Sequence, residues 1–299
     1  MDPREEIGKR IYELRKYFKI TQKELCEGIC TQAYISKIEN GSLAIAADIL
    51  FEIAERLGVD INYFYDSSYN PRVDYALEVE LEARNLVKKD EFEKLEELIK
   101  REEKTPLMYN NKFKQFILWH KAIYTRYIYD DFERAESLLD EALTLFNTSS
   151  KSYSEREIHI LINKANLHTD KRNFAYAIEL YEKAKATLEK LPYLHDDSLV
   201  TLINFNLART HYLKGEFDKT ILYSENGIQH CKKKQSLDGF GQFHFLKGNA
   251  HRKLKNFSLA KKHVETAMQI FALIDHEKYL SNCEKVLQRI KEEVDYTTS

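Results

Sequence analysis

Amide side chains recur in this chain at a repeating interval. Counted back from the aromatics Phe132, Phe174, Phe217 and Phe257, the eleventh residue before each is Lys121, Asn163, Asn206 and Leu246. The eighth before each is Tyr124, Asn166, Arg209 and Asn249, and the fifteenth is Ile117, His159, Leu202 and Gln242. An Asn carries a donor and an acceptor on one short side chain, so a row of them suits the main-chain groups of an extended peptide. Arg209, Lys121 and Lys88 can meet a carboxylate. His168, His211 and His251 fall six residues before the last three aromatics. They suggest a metal or proton site, but residues one repeat apart in stacked helix pairs stand roughly 10 Å or more apart. Three such histidines cannot share one ion; they are expected to fill an aromatic slot of the repeat.

Other reactive constellations are missing from the sequence. Cys26, Cys30, Cys231 and Cys283 are too few and too scattered for a disulfide scaffold. Cys26 and Cys30 share a helix face, yet no C-x-x-C and no neighbouring His cluster completes a zinc site. There is no Gly-rich phosphate loop, metal triad or nucleophile motif. The expectation is therefore a binding protein, with no catalytic residues, metal or cofactor.

The elements that must carry the amides are helical and repetitive. With Phe92 added, the aromatics are spaced 40, 42, 43 and 40 residues apart. Three residues on come Leu95, Ala135, Ala177, Thr220 and Ala260, and ten on come Glu102, Ala142, Ala184, Gly227 and Ala267. Nine before the last three aromatics come Ala165, Ala208 and Gly248. Small residues at fixed places let paired helices pack closely, and the aromatic seals each inter-helix turn. The pattern resembles the tetratricopeptide repeat, with its period stretched beyond ~34 residues by longer loops. The resemblance puts the first helix of each repeat on a concave side, so His159, Asn163, Asn166, Asn206, Arg209, Gln242 and Asn249, with Lys88, Lys121 and Tyr124, become candidate groove residues. The repeat at Phe92 matches poorly, as a terminal repeat does. Leu273 to about Glu293 should close the array, with Leu280, Val286, Leu287 and Ile290 as its apolar residues.

A different unit precedes the array. Ile7, Ile11, Leu14 and Phe18 recur at helical spacing. Thr21 with Glu24 forms a capping box that starts a second helix, with Leu25 and Ile29 buried. Thr31 caps a third, which turns Ile35 and Ile38 inward, turns Gln32, Ala33, Tyr34, Ser36 and Lys37 outward, and ends at Asn40-Gly41. A fourth covers Ala47 to Leu57 with Gly58 after it, and a short fifth covers about Asp60 to Tyr65. This arrangement resembles the phage-repressor-like helix-turn-helix family (the Xre type). Gln22, Gln32 and Ile38-Glu39-Asn40-Gly41 stand where that family's motif places them. Cys30 stands near the usual turn Gly, and the turn is about one residue shorter. By that resemblance Gln22 and Ser36 bond phosphates, and Gln32, Ala33, Tyr34 and Lys37 face base edges. Gln suits adenine, Tyr or Ala a thymine methyl, and Lys guanine.

Composition constrains the rest. Residues 1–66 hold 9 Lys and Arg against 12 Asp and Glu, a net of −3, which argues against a broad phosphate-coating surface. The basic residues are uneven, however: Arg4, Lys9, Arg10, Arg15, Lys16, Lys19 and Lys23 crowd the first 23 positions. No run approaches the ~20 apolar residues of a membrane span. The charged N-terminus has no apolar signal segment, so a cytoplasmic protein is expected. The turn-rich Asp66–Pro71 marks the boundary. The expected domains are 1–66 for the DNA-binding head, 67–72 for a linker, 73–293 for peptide binding and dimerisation, and 294–299 for a tail. The expected fold class is all-α: a five-helix head, then an α-solenoid of about five repeats and a closing helix.

The combination resembles the peptide-pheromone receptors of Gram-positive bacteria, which are quorum-sensing transcriptional regulators. The resemblance is carried by Glu27-Gly-Ile-Cys-Thr-Gln32, Ser36-Lys-Ile-Glu-Asn-Gly41, Asp48-Ile-Leu50, Asn62-Tyr-Phe-Tyr65 and the repeat landmarks. It implies a homodimer that binds a near-palindrome in double-stranded DNA as an activator, with half-sites roughly one or two helical turns apart. A short signalling peptide in the groove would shift that equilibrium, with couplings commonly ~1–3 kcal/mol. Asp90 stands where the group has a second basic residue near its peptide, while Lys88 remains; the difference suggests a distinct peptide. Two other readings stay open: a repeat protein that acts by binding another protein, and a phage-type repressor released by its peptide.

Overall fold

The computed structural model describes residues 3–64, 71–146 and 153–298. Every described element is a helix, and the chain forms two compact units, Met1–Val79 and Glu80–Ser299. Of the expected linker, residues 67–70 lie outside the described residues, and 71–72 already belong to a helix.

The first unit contains α1 (Pro3–Tyr17), α2 (Gln22–Cys26), α3 (Gln32–Glu39) and α4 (Ala47–Leu57). The capping box forms: Thr21 N–H donates to Glu24 Oε2 at 2.7 Å, and Glu24 N–H to Thr21 Oγ1 at 3.2 Å. Thr31 caps α3 by accepting from Tyr34 N–H at 3.3 Å. Ile11, Leu25, Ile35, Leu50 and Ile53 are fully buried in one core, and each contributes about 1.5–3 kcal/mol by leaving water. Two expectations need correcting. The fifth helix is a single 3-10 turn, Ile61–Phe64, and Tyr65 lies outside the described residues. Phe18 is not in the core: α1 ends at Tyr17, Lys19 turns left-handed at φ 58°, and Phe18 swings to the surface at 46% exposure.

The second unit is a stack of helix pairs. It comprises α5 (Pro71–Lys88, beginning before the division), α6 (Phe92–Glu102), α7 (Asn111–Tyr129), α8 (Phe132–Thr144), α9 (Glu155–Asp170) and α10 (Phe174–Leu188). There follow α11 (Ser198–Lys214), α12 (Phe217–Lys234), α13 (Phe240–Lys253), α14 (Phe257–Leu273) and α15 (Glu277–Thr298). All five landmark aromatics are the first residue of a second helix. Two residues before each, the backbone turns left-handed: Asp90, Asp130, Arg172, Gly215 and Lys255 have φ between 56° and 89°. In four of these turns the residue just before the aromatic donates its N–H back to the residue six before it: Glu91 to Leu86, Asn173 to His168, Glu216 to His211 and Asn256 to His251. That is a Schellman stop, which satisfies the last carbonyls of the first helix. The three recurring histidines are therefore helix-end residues. They are buried against Tyr176, Tyr223 and His263, with ring centroids 4.6, 5.3 and 5.6 Å apart. The closing helix starts later than expected, at Glu277, because Leu273 still ends α14; Val286 and Ile290 are its buried contacts.

The first helices α7, α9, α11, α13 and α15 touch one another in succession, besides touching their own partners. Fully buried Ala165 and Ala208 belong to this inner layer, and Ala135, Ala142, Ala177, Ala184, Ala260 and Ala267 to the second helices behind it. Gly227 is the sharpest case: a Cβ there would lie 2.1 Å from the Phe243 ring. Gly227→Ala should force that fully buried ring off its rotamer and cost about 1–3 kcal/mol, read as a lower thermal midpoint.

Three further histidines are stored neutral. His120 Nδ1–H donates to the Phe116 carbonyl at 2.9 Å, and burial pushes its pKa down to about 3. His244 and His263 meet Nδ1 to Nδ1 at 3.0 Å, and burial pushes both down to about 4. The unfolded chain takes up protons below the ordinary value of 6.5, whereas the fold resists until about 4. This stability is fully present above pH 6.5 and lost as the pH falls. The thermal midpoint should therefore drop across that window, and His263→Gln should flatten the slope.

Candidate nucleic-acid interface and concave groove

On the head, α3 presents Gln32, Ala33 and Lys37 exposed and Ser36 half-buried. Tyr34 is half-buried and committed: its hydroxyl accepts from Ala46 N–H at 3.2 Å and reaches the Ala44 carbonyl at 3.4 Å. The side chain thus pins the loop after α3. The turn into α3 takes its left-handed residue at Gly28, φ 73°, and not at Cys30. Arg56 of α4 donates to the Leu25 carbonyl at 3.1 Å and also to that of Glu27, so it closes the free carbonyl end of α2.

What holds α3 in place is a buried ion pair. Arg15 Nε and Nη2 meet Glu39 Oε1 and Oε2 at 2.6 and 2.7 Å, with the side chains 7% and 3% exposed. The bond to Glu39 raises the Arg15 pKa. Arg15 Nη1 also donates to the Ile20 carbonyl at 3.0 Å, and Gln22 Nε2 donates to Glu39 at 2.8 Å. One pair thus ties the end of α1, the start of α2 and the end of α3. Gln22 keeps one amide hydrogen for an outside acceptor. Arg10 is likewise inward, bonded to the Tyr63 carbonyl and to Glu6. Among the exposed cations, Lys16, Lys19 and Lys23 line one shallow depression beside α3 together with Gln22 and Gln32. Sequence counting found these lysines as charge but did not place them at the site.

In the second unit, a cavity of about 470 Å³ opens on the inner layer. His159, Asn163 and Asn166 all line it. His159 Nε2 bonds Asp196 at 3.0 Å and its ring lies 5.4 Å from Trp119. That bond, with help from Ser198, holds the Asp196 carboxyl well below the usual carboxylate range. Asn163 donates to the His159 carbonyl at 2.9 Å, and Asn166 accepts from the Tyr181 hydroxyl at 2.6 Å. Each amide keeps its other group for a ligand.

The remaining expected groove residues lie elsewhere. Lys121 pairs with Glu103 at 2.5 Å. Tyr124 is buried, its phenol pushed up to about 12 by burial and by Glu103 and Glu96 of the α6 side. Because α6 packs on that face of α7, the α7 residues that line the cavity are Trp119, His120, Ile123 and Tyr127, which are thirteen, twelve, nine and five before Phe132. Lys88 is exposed at the end of α5 and outside the cavity lining. Arg209 bonds Asp170 at 3.2 Å. Asn206 and Asn249 are buried and Gln242 half-buried farther along α11 and α13, with Asn249 donating to the Phe245 carbonyl at 2.9 Å.

Residues 80–291 match the RNPP family C-terminal domain. The chain belongs to the RNPP family. Residues 11–64 of this RNPP protein match a helix-turn-helix domain. No curated protein matches it by sequence. Solved structures share the RNPP fold along nearly the whole chain. Bacillus thuringiensis PlcR in complex with the peptide PapR7 and DNA is 22% identical, with a TM-score of 0.79 over 93% of this chain and 99% of that one. The SHP pheromone receptor Rgg2 of Streptococcus dysgalactiae is 16% identical, with a TM-score of 0.64 over 95% and 99%. ComR from S. thermophilus, in complex with DNA and its signalling peptide ComS, is 15% identical, with a TM-score of 0.60 over 95% and 99%.

The ion pair gives this RNPP head a clear test. Arg15→Ala leaves a buried carboxylate alone and should cost about 3–5 kcal/mol, whereas Arg15→Met with Glu39→Leu should recover most of it. Hydrogen exchange of the amides in residues 22–57 reads both.

Proposed function

We propose that this protein is a peptide-responsive transcriptional regulator. A short signalling peptide occupies the inner-layer cavity and controls how a homodimer binds a near-palindromic DNA site. The cavity carries this reading. It offers uncommitted halves of two amides to a peptide main chain and an aromatic and aliphatic wall to its side chains, the usual make-up of a specific site. The solved relatives held with a peptide and DNA, PlcR and ComR, and the pheromone receptor Rgg2 support it. On the head, Gln32, Ala33 and Lys37 read base edges. Gln22, Ser36, Lys16, Lys19 and Lys23 meet phosphates, and Tyr34 acts mainly by fixing the loop behind α3. The role is one of binding, without catalysis. A cytoplasmic location fits, since among the described residues no helix is long and apolar enough to cross a membrane.

The full chain should run as a dimer near 71 kDa, twice its 35.3 kDa, and select a near-palindrome from a random duplex pool. Gln32→Ala and Lys37→Ala should each cost ~1–3 kcal/mol at particular base pairs and leave the fold intact. A random heptapeptide pool should change the affinity for the selected duplex, and Asn163→Ala with Asn166→Ala should abolish that response. Equal binding of the duplex by wild type and both head variants would remove the reading face from the account. A response unchanged in the double Asn variant would remove the groove.

A further inference from the structure

The rim of the groove holds a carboxylate whose partner is an exposed, water-facing side chain. Asp90 occupies the left-handed turn between α5 and α6 and lines the same cavity as Asn163 and Asn166. Its partner is Lys278, 188 residues further along in the first turn of α15, at 3.5 Å. The two side chains are 67% and 75% exposed, so the pair is weak and easily exchanged. The other carboxylates near the cavity are held by less exposed groups. Asp196 is bound by His159 at 3.0 Å, and Asp170 lies between Arg126 at 3.5 Å and Arg209 at 3.2 Å.

The wall beside Asp90 is aromatic. Phe92 and Tyr127 stack with centroids 4.2 Å apart and planes within 5°, and both line the cavity. Tyr279 follows Lys278. Burial raises the phenols of both Tyr127 and Tyr279, and the charge of Asp90 adds a little to each. An apolar stem lying on aromatic rings with a cationic head at a carboxylate is how Lys and Arg are commonly received.

We propose that Asp90 and the Phe92–Tyr127 stack form a cation subsite of the groove, which takes an ammonium or guanidinium of the bound peptide and for which Lys278 is the internal substitute. The proposal rests on the groove being the peptide site. It makes the ligand a peptide with a free N-terminal amine, a Lys or an Arg at this end, and it excludes an acidic residue there. A peptide cation displaces Lys278 and so frees the first turn of α15 from the turn after α5.

The test is selective retention. Random synthetic heptapeptides, one pool with free N-termini and one N-acetylated, are mixed with the full chain, and retained peptides are recovered by gel filtration and identified by mass spectrometry. Wild type should enrich cationic peptides roughly five- to tenfold over Asp90→Asn, and Lys278→Ala should retain the same peptides more strongly. Asn tolerates the left-handed turn, so D90N keeps its fold, and Lys278→Ala tests the subsite without touching that turn. Enrichment of Lys and Arg in the acetylated pool assigns the cation to a side chain, and enrichment only in the free pool assigns it to the N-terminus; both support the subsite. If wild type and D90N retain peptides of the same charge composition, the subsite is wrong and the groove stands. If wild type retains no peptide from either pool, the groove reading fails and the subsite fails with it.

Discussion

First helices that pack against first helices on both sides govern the rest of the repeat unit. Small residues within that layer also let each first helix close on its own partner: a Cβ on Gly248 of α13 would lie 2.6 Å from Val264 of α14, and Ala165 and Ala208 are fully buried. One layer drawn tighter than the other bends the stack. Bending encloses the cavity between α7, α9 and α11 and brings the turn after α5 within reach of α15. The groove is thus a result of backbone spacing, and its chemistry is carried by the few side chains that the bend turns inward.

The head depends on a different kind of constraint. A buried guanidinium and carboxylate add little net stability, because desolvation offsets most of their attraction. Their bidentate geometry nonetheless accepts one arrangement of α1, α2 and α3, and Gln22 is fixed by the same carboxylate. The pair takes Arg15 and Glu39 out of the surface charge. Attraction for phosphates is left to a handful of exposed lysines, so the head alone has a small electrostatic footprint.

Much of the fold was legible in the sequence because it rests on local chemistry. Thr21 with Glu24, Thr31, Gly58 and the five spaced aromatics each act within a few residues, and each begins or ends the helix that pattern reading assigned to it. What stayed hidden depends on distant partners. Arg15 reads as one of seven clustered basic residues until Glu39, 24 positions on, is seen against it. The fifteen–eleven–eight register describes α9, where His159, Asn163 and Asn166 meet. It fails on α7, because the face that α6 covers is set by packing that no spacing rule contains. Lys278 gave no sign of meeting Asp90.

The left-handed turn before each landmark aromatic has a consequence for how such receptors diverge. Gly, Asp, Arg and Lys all fill that backbone role here, and in all five turns the residue is exposed. The strain of the conformation, about 1–2 kcal/mol for a residue other than Gly, is nearly the same whichever charged side chain stands there. A single codon change at such a position exchanges a positive for a negative group along one edge of the stack and leaves the packing behind it untouched. Duplicated genes can therefore acquire separate signals without passing through an unstable ancestor.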